Sequence, residues 1–351
     1  MTKDFNYKAL IIARESRGIT QTKLAEDTDI PQSTISKVER GMQPIDDADL
    51  KKISEVLNYP VDFFYRAMDI YPPNMHYRKK ATVSAKVLAK VEALMNIYKA
   101  NIEELLKSVE FTGYHLPSSE DVKNLTPQDV ARFIRQYWEI PKGAIANLTA
   151  LIESKGVIVV EFDFETDKID GRSIMTNLGV PIIFINKNMS ADRKRFTLAH
   201  ELAHIIMHVF ATVTFETDIE DEAFVFAAEL LMPENEIYSS LRGQLNIAKL
   251  ADLKRYWKVS MAAILYWAQK MKAITQNHAR YLWTQFSALR IRHVEPVVIP
   301  NETPSFLFSM MNFFKENLHY TVEDLSTIFC LKVDELQQNY LPIEQKMRLV
   351  R

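Results

Sequence analysis

Residues 195–208 read RFTLAHELAHIIMH, an apolar helical pattern into which three histidines and a glutamate are set. No other stretch constrains the fold as much. Phe196, Leu198, Ala199, Leu202, Ala203, Ile205 and Ile206 require the helix to be buried. Burying His200, Glu201 and His204 with them costs several kcal/mol unless those side chains are partnered. A metal ion is the economical partner. Residues four apart lie on one helix face, so the imidazoles of His200 and His204 can reach one ion. Glu201 adjoins the first of them and is placed to act as a general base on a water activated there, without ligating.

A third ligand is then required. His208 lies about 12 Å along the helix axis from His200, at ~1.5 Å per residue, and reads as a polar residue at the helix end. The metzincin pattern asks for a glycine and a histidine where this chain has Met207 and Phe210. What remains is an acidic residue on a second helix. ETDIEDEAFVFAAELLMP supplies that helix, with Ala223, Phe226, Ala227, Leu230 and Leu231 on one face, and it offers Glu216, Glu220 and Glu222.

The rest of the chain reads mostly helical. Only 8 glycines occur in 351 residues, few for a sheet-rich fold. The expected class is mainly α with a small β-sheet (α+β), with strands at Val157–Val160 and Ile182–Ile185. Lys plus Arg number 43 and Asp plus Glu 45, a formal charge of -2, so any affinity for nucleic acid must come from a local patch. A single cysteine, Cys330, excludes an internal disulfide framework and fits a reducing cytoplasm, where it reads as a small buried hydrophobe. No apolar run reaches the ~18 residues of a membrane span, and the polar start does not read as a signal peptide.

The first 70 residues read as five short helices. YKALIIARESRG puts Leu10, Ile11 and Ala13 on its apolar side and stops at Gly18; Thr20 caps QTKLAEDT; DIPQSTISKVERG ends at Gly41. Two short helices across a tight turn are helix-turn-helix geometry, in which the start of the second helix meets base edges. The candidate DNA-contacting residues are Gln21, Gln32, Ser33, Thr34, Ser36 and Lys37. Gln can pair with adenine and Lys with phosphate. Glu39 is read as a cap or as the partner of Arg40.

Residues 71–120 read as a basic helical connector, with HYRKKATVSAKVLAK at its start and helical spacing at Val87, Leu88, Val91, Leu94 and Met95. It suits a dimer seam, an arm or a rigid spacer. Within LNIAKLADLKRYWKVSMAAILYWAQKMKAIT the aromatic and aliphatic residues read as core, while Lys254, Arg255, Lys258 and Lys270 leave a second DNA-reading element open. The tail, residues 276–351, reads as a helical region with Phe306, Phe308, Met311, Phe313 and Phe314 as its apolar side.

Two resemblances follow from these residues. Gln21, Leu24, Ala25, Ser33, Ile35, Ser36, Glu39, Gly41, Pro44, Leu50, Ile53 and Leu57 fit the signature of the Cro/C1-type (XRE) repressor domain. DRKRFTLAHELAHIIMH followed by EDEAFVFAAELLMP resembles the ImmA/IrrE family of zinc metallopeptidases over roughly residues 125–275. The second resemblance implies a zincin-like, gluzincin-type domain at 121–275, zinc as cofactor, His200, His204 and Glu220 as ligands and Glu201 as the catalytic base. Phe224 departs from the Asn or Asp that family members carry at that place, which puts full activity in question. Together the resemblances imply a cytoplasmic regulator that binds operator DNA through residues 1–70 as a homodimer. Its zinc-dependent endopeptidase would cleave a repressor-type protein, or the chain itself within residues 70–110, to relieve repression. The alternative is a repressor whose metal-site domain acts as sensor or scaffold without proteolysis.

Overall fold

The computed structural model describes residues 4–70, 83–109, 115–208, 218–243, 245–292 and 294–341. They form two compact units, one built from the described residues within 1–112, 176–178 and 306–351, the other from those within 113–175 and 179–305. The architecture is mainly helical with one small sheet.

The first unit opens with α1 (Tyr7–Ser16), α2 (Gln21–Thr28), α3 (Gln32–Glu39) and α4 (Asp47–Leu57), followed by a 3-10 turn at Val61–Tyr65. Three of these four helices, α1, α2 and α4, start at a side-chain cap. The side chains of Asn6, Thr20 and Asp46 accept from Lys8, Lys23 and Asp49 backbone N–H groups, and Pro31 precedes α3. Asp29 turns the chain between α2 and α3 at φ 55°, a conformation an Asp tolerates better than most residues. Leu10, Ala13, Leu24, Ile35, Val38, Leu50, Ile53, Leu57 and Phe63 close the core. Ile12 takes the place expected of Ile11, which is only half-buried. The connector's helix, α5 (Ala85–Leu106), packs on α1 and buries Val91, Met95, Ile102 and Leu105. Residues 71–82 and 110–114, inside the segment in which self-cleavage was expected or just beyond it, lie outside the described residues.

The second unit runs α6 (Ser119–Val122), α7 (Pro127–Tyr137), α8 (Leu148–Ser154), β1 (Ile158–Phe162), β2 (Gly171–Met175), β3 (Pro181–Asn186) and α9 (Ala191–Ala203). A π-helical turn, His204–His208, continues α9, and α10 (Ile219–Leu231), α11 (Glu234–Leu241), α12 (Ile247–Trp257), α13 (Met261–Lys270) and α14 (Gln276–Ala288) follow. The strand order is β1-β3-β2. β1 pairs parallel to β3 with Ile158 opposite Ile182, and β2 pairs antiparallel with Arg172 opposite Phe184. β3 is buried along its whole length, as a central strand under a helix should be. The strand β2 was not expected from sequence; GRSIM lacks an apolar run, and as an edge strand it needs none. α9 packs on β2, β3 and α10, and α10 also packs on α7.

Two carboxylates from the stretch after α14 fasten α9. Glu302 pairs with the buried Arg195 and accepts from the backbone N–H groups of Leu148 and Thr149 at the start of α8. Glu295 accepts from Met261 and Ala262 N–H at the start of α13 and from Lys254, which also donates to Asp192 at the start of α9. Lys254 is therefore buried at 3% exposure, which overturns its reading as a cation available to DNA. Lys258 donates to the carbonyl of Ala146, and Lys270 and Arg255 pair with Asp221 and Asp252. Tyr256 and Tyr266, expected in the core, are exposed, while Trp257 and Trp267 are buried.

The tail returns to the first unit as α15 (Phe306–Glu316), α16 (Val322–Phe329) and α17 (Val333–Tyr340). Glu335 pairs with Arg17, at the C-terminal cap of α1, and the Tyr340 hydroxyl accepts from Asn101 of α5. Phe308 and Phe313 are exposed, contrary to the apolar side expected; Met310, Met311 and Phe314 are the buried set. Cys330 is buried and ends α16 at φ 50°. No helix among the described residues is long and apolar enough to cross a membrane.

Candidate metal centre and nucleic-acid interface

α9 carries His200, the π turn that continues it opens on His204 one turn later, and α10 packs beside them with Glu220 in its first turn. The Nε2 atoms of the two histidines stand 3.1 Å apart, and Glu220 brings one oxygen to 3.4 Å from His200 Nε2 and the other to 3.7 Å from His204 Nε2. His200, His204 and Glu220 are the set of three ligand-type side chains among the described residues whose donor atoms converge, all within 4.8 Å of one another. Two nitrogens bound to one zinc at ~2.0–2.1 Å in tetrahedral array are about 3.3 Å apart, so the donor set fits such an ion. An ion held by these three side chains would have room for one further ligand.

Glu220, named by the resemblance, is thus the acidic residue that faces the two histidines. Glu222 points elsewhere, to His208 at 3.1 Å, and Glu216 lies outside the described residues. His208 closes the π-helical turn, at the helix end where the sequence puts it. It is 5% exposed, and its Nδ1 stands 2.9 Å from His204 Nδ1.

Glu201 is buried against β2, where sequence reasoning had placed nothing. A Cβ on Gly171 would stand 2.7 Å from Thr197 Cγ2 and 3.2 Å from Glu201 Cγ, so the glycine permits the close approach of strand and helix. Burial pushes the Glu201 carboxyl above the usual glutamate value; the charge of His200, a hydrogen bond from Ser173 and the charge of Arg172 pull it back, and Glu220 adds to the rise. Burial lowers Arg172 to about 10, against the pull of Glu201 and Glu220. Arg172 and Ser173 are the site residues that sequence reasoning missed; only their adjacency to Gly171 in a short polar stretch marks them, a weak signal.

Phe224, one turn past Glu220, packs between Phe196 (ring centroids 5.1 Å apart) and Tyr266 (4.6 Å). Phe224 is thus part of an aromatic cluster.

In the first unit, the residues expected at the DNA face lie along α3, from Gln32 in its first turn to Lys37 in its last, with Gln21 at the start of α2. Gln32, Ser33 and Lys37 are exposed, and Gln21, Thr34 and Ser36 are half-buried. Gln32 Nε2 donates to Gln21 Oε1 at 3.0 Å, and Gln21 Nε2 donates to Glu39 Oε2 at 2.7 Å. Glu39 is held by Arg14, not by Arg40 as expected. Neighbours in a helix point apart, whereas α1 packs on α3 and brings Arg14 across.

Comparison with known proteins matches both regions. Residues 10–64 match the family model for the helix-turn-helix, and residues 152–268 match that for the IrrE N-terminal-like domain, a peptidase family. No curated protein matches the chain. One polypeptide thus joins an XRE-type helix-turn-helix domain to an ImmA/IrrE-like metallopeptidase domain.

Proposed function

We propose that this chain is a transcriptional regulator that binds operator DNA as a homodimer and acts as a zinc-dependent endopeptidase on a repressor-type protein or on itself. The observation that carries this reading is the convergence of His200, His204 and Glu220 beside a buried Glu201, on a chain that also bears a helix-turn-helix. The combination and the single cysteine suit the cytoplasm.

His200, His204 and Glu220 would hold the ion, which supplies Lewis acidity and a lowered water pKa at its open position. Glu201 accepts the proton of the attacking water and returns it to the leaving amine nitrogen. A carboxyl raised by burial is suited to both transfers. Ser173 orients that carboxyl, and Arg172 offsets the negative charge of Glu201 and Glu220. β2 is an edge strand beside Glu201, so an extended peptide can pair with it and bring a backbone carbonyl to the site.

The test is incubation of the zinc-loaded protein with its own promoter DNA and candidate XRE-type repressors, followed by mass spectrometry of fragments. Wild type cleaves the repressor or itself, and Glu201→Gln does not while still binding DNA; identical fragments from both would refute the peptidase reading. A second reading, a repressor whose metal domain is a sensor or scaffold, is favoured by Phe224 in its aromatic cluster. It predicts that Glu201→Gln leaves regulation intact. On either reading Lys37→Ala weakens operator binding and lowers the salt slope by about 1.

A further inference from the structure

His204 presents its two ring nitrogens to different partners. Nε2 belongs to the converging set with His200 and Glu220. Nδ1 stands 2.9 Å from Nδ1 of His208, whose own Nε2 stands 3.1 Å from Glu222 Oε2. A nitrogen that ligates carries no proton, so a neutral His204 bound through Nε2 has its proton on Nδ1 and donates it to His208 Nδ1. His208 then holds its proton on Nε2 and donates it to the Glu222 carboxylate. One proton assignment satisfies all three contacts.

We propose that His208 and Glu222 are positioning residues that fix the tautomer and ring orientation of the ligand His204; the inference rests on the metal reading of His200, His204 and Glu220. The backbone is built for it. The π-helical turn His204–His208 sets the two rings side by side, centroids 5.0 Å apart, and π turns recur at functional sites. Glu222 lies two residues past Glu220 in the first turn of α10, so the helix that supplies the acidic donor also supplies the end of the series. Packing of α9 and its π turn on α10 holds both ends. A ligating histidine commonly donates its other ring N–H to a fixed acceptor, and loss of that acceptor weakens metal binding about 10–100-fold. A second metal between His204 and His208 does not suit the geometry, because the His208 ring lies between His204 and Glu222 and its two nitrogens serve opposite partners.

The test uses the full chain, stripped of metal and titrated with Co(II) and Zn(II) against a competing chelator, with the Co(II) visible spectrum recorded. His208→Leu is expected to lose about 10–100-fold in affinity with an altered Co(II) spectrum. His208→Asn, whose Oδ1 can accept from His204 Nδ1, recovers most of both. A purely structural role for His208 would lower thermal stability in both variants alike and leave affinity unmoved. Should His208→Leu fail to fold, the half-exposed Glu222→Leu serves, with a smaller loss in the same direction. Nitrogen-15 NMR of the zinc-loaded wild type reads the tautomer directly, with Nε2–H on His208 expected. Wild-type affinity in folded His208→Leu or in Glu222→Leu, or an Nδ1–H tautomer of His208, overturns the proposal alone. A wild type that binds neither ion overturns the metal reading and this inference with it.

Discussion

Arg14 and Glu39 meet through two hydrogen bonds, Nε to Oε1 at 2.6 Å and Nη2 to Oε2 at 3.1 Å, with both side chains buried between α1 and α3. The same carboxylate accepts from Gln21, which in turn accepts from Gln32 at the exposed start of α3. Removing one partner of a buried pair costs roughly 3–5 kcal/mol, because the other charge is left uncompensated. Glu39→Ala is therefore expected to lower the thermal midpoint of the helix-turn-helix domain and to weaken operator binding, although Glu39 itself is buried. Calorimetry with a gel shift on the promoter DNA checks both; an unchanged midpoint would show that the pair contributes little.

Gly171 allows β2 to lie against α9. An added methyl would meet Thr197 Cγ2 at 2.7 Å and the Phe184 carbonyl oxygen at 3.1 Å. Gly171→Ala should cost about 1–3 kcal/mol by overpacking and displace Glu201, so that peptide cleavage falls further than stability does. Adding Thr197→Ser removes the closest atom and should restore part of both losses, read as a coupling in a double-mutant cycle.

The triad Asp192–Lys254–Glu295 gives a pH signature. Burial pushes Asp192 up, but hydrogen bonds from Lys254 and Ser190 and the Lys254 charge outweigh it, leaving the carboxyl below its ordinary value. Burial pulls Lys254 down, but Asp192 and Glu295 outweigh that and hold it above its ordinary value. The Asp192 contribution to stability is thus present above its unfolded pKa of about 3.9 and fades as pH falls through the folded value. The Lys254 contribution is present below about 10.4 and fades as pH rises through the folded value. Lys254→Met should destabilise the second unit by roughly 3–5 kcal/mol near neutral pH. The gap to wild type should shrink as pH falls toward 3, as followed by urea unfolding at several pH values.

What could be read from sequence follows from how local each cause is. Thr20, Gly18, Pro31 and Gly41 mark the ends of α1, α2 and α3 within a few residues of themselves, so the opening helices were legible. His200, Glu201 and His204 were legible for the same reason, since one helix turn sets their relation. The partners of charged groups were not. Arg14 reaches Glu39 and Lys254 reaches Asp192 and Glu295 across the packing of separate elements, and a lysine that ends buried has the same letter as one in water. β2 escaped because an edge strand that opens on Gly171, Arg172 and Ser173 and ends on Ile174 and Met175 carries no apolar alternation. His208 stays outside the converging set of donors; its burial and its contacts with His204 and Glu222 were not legible, because they depend on a π turn and on the packing of α10.

The central claim is that His200, His204 and Glu220 grip one divalent ion with Glu201 beside it rather than on it. Elemental analysis of wild type, Glu201→Gln and His204→Ala, each dialysed after exposure to zinc, tests it most directly. The account predicts about one ion per chain in wild type and in Glu201→Gln, and close to none in His204→Ala. Equal metal in wild type and His204→Ala, or none in wild type, would contradict it.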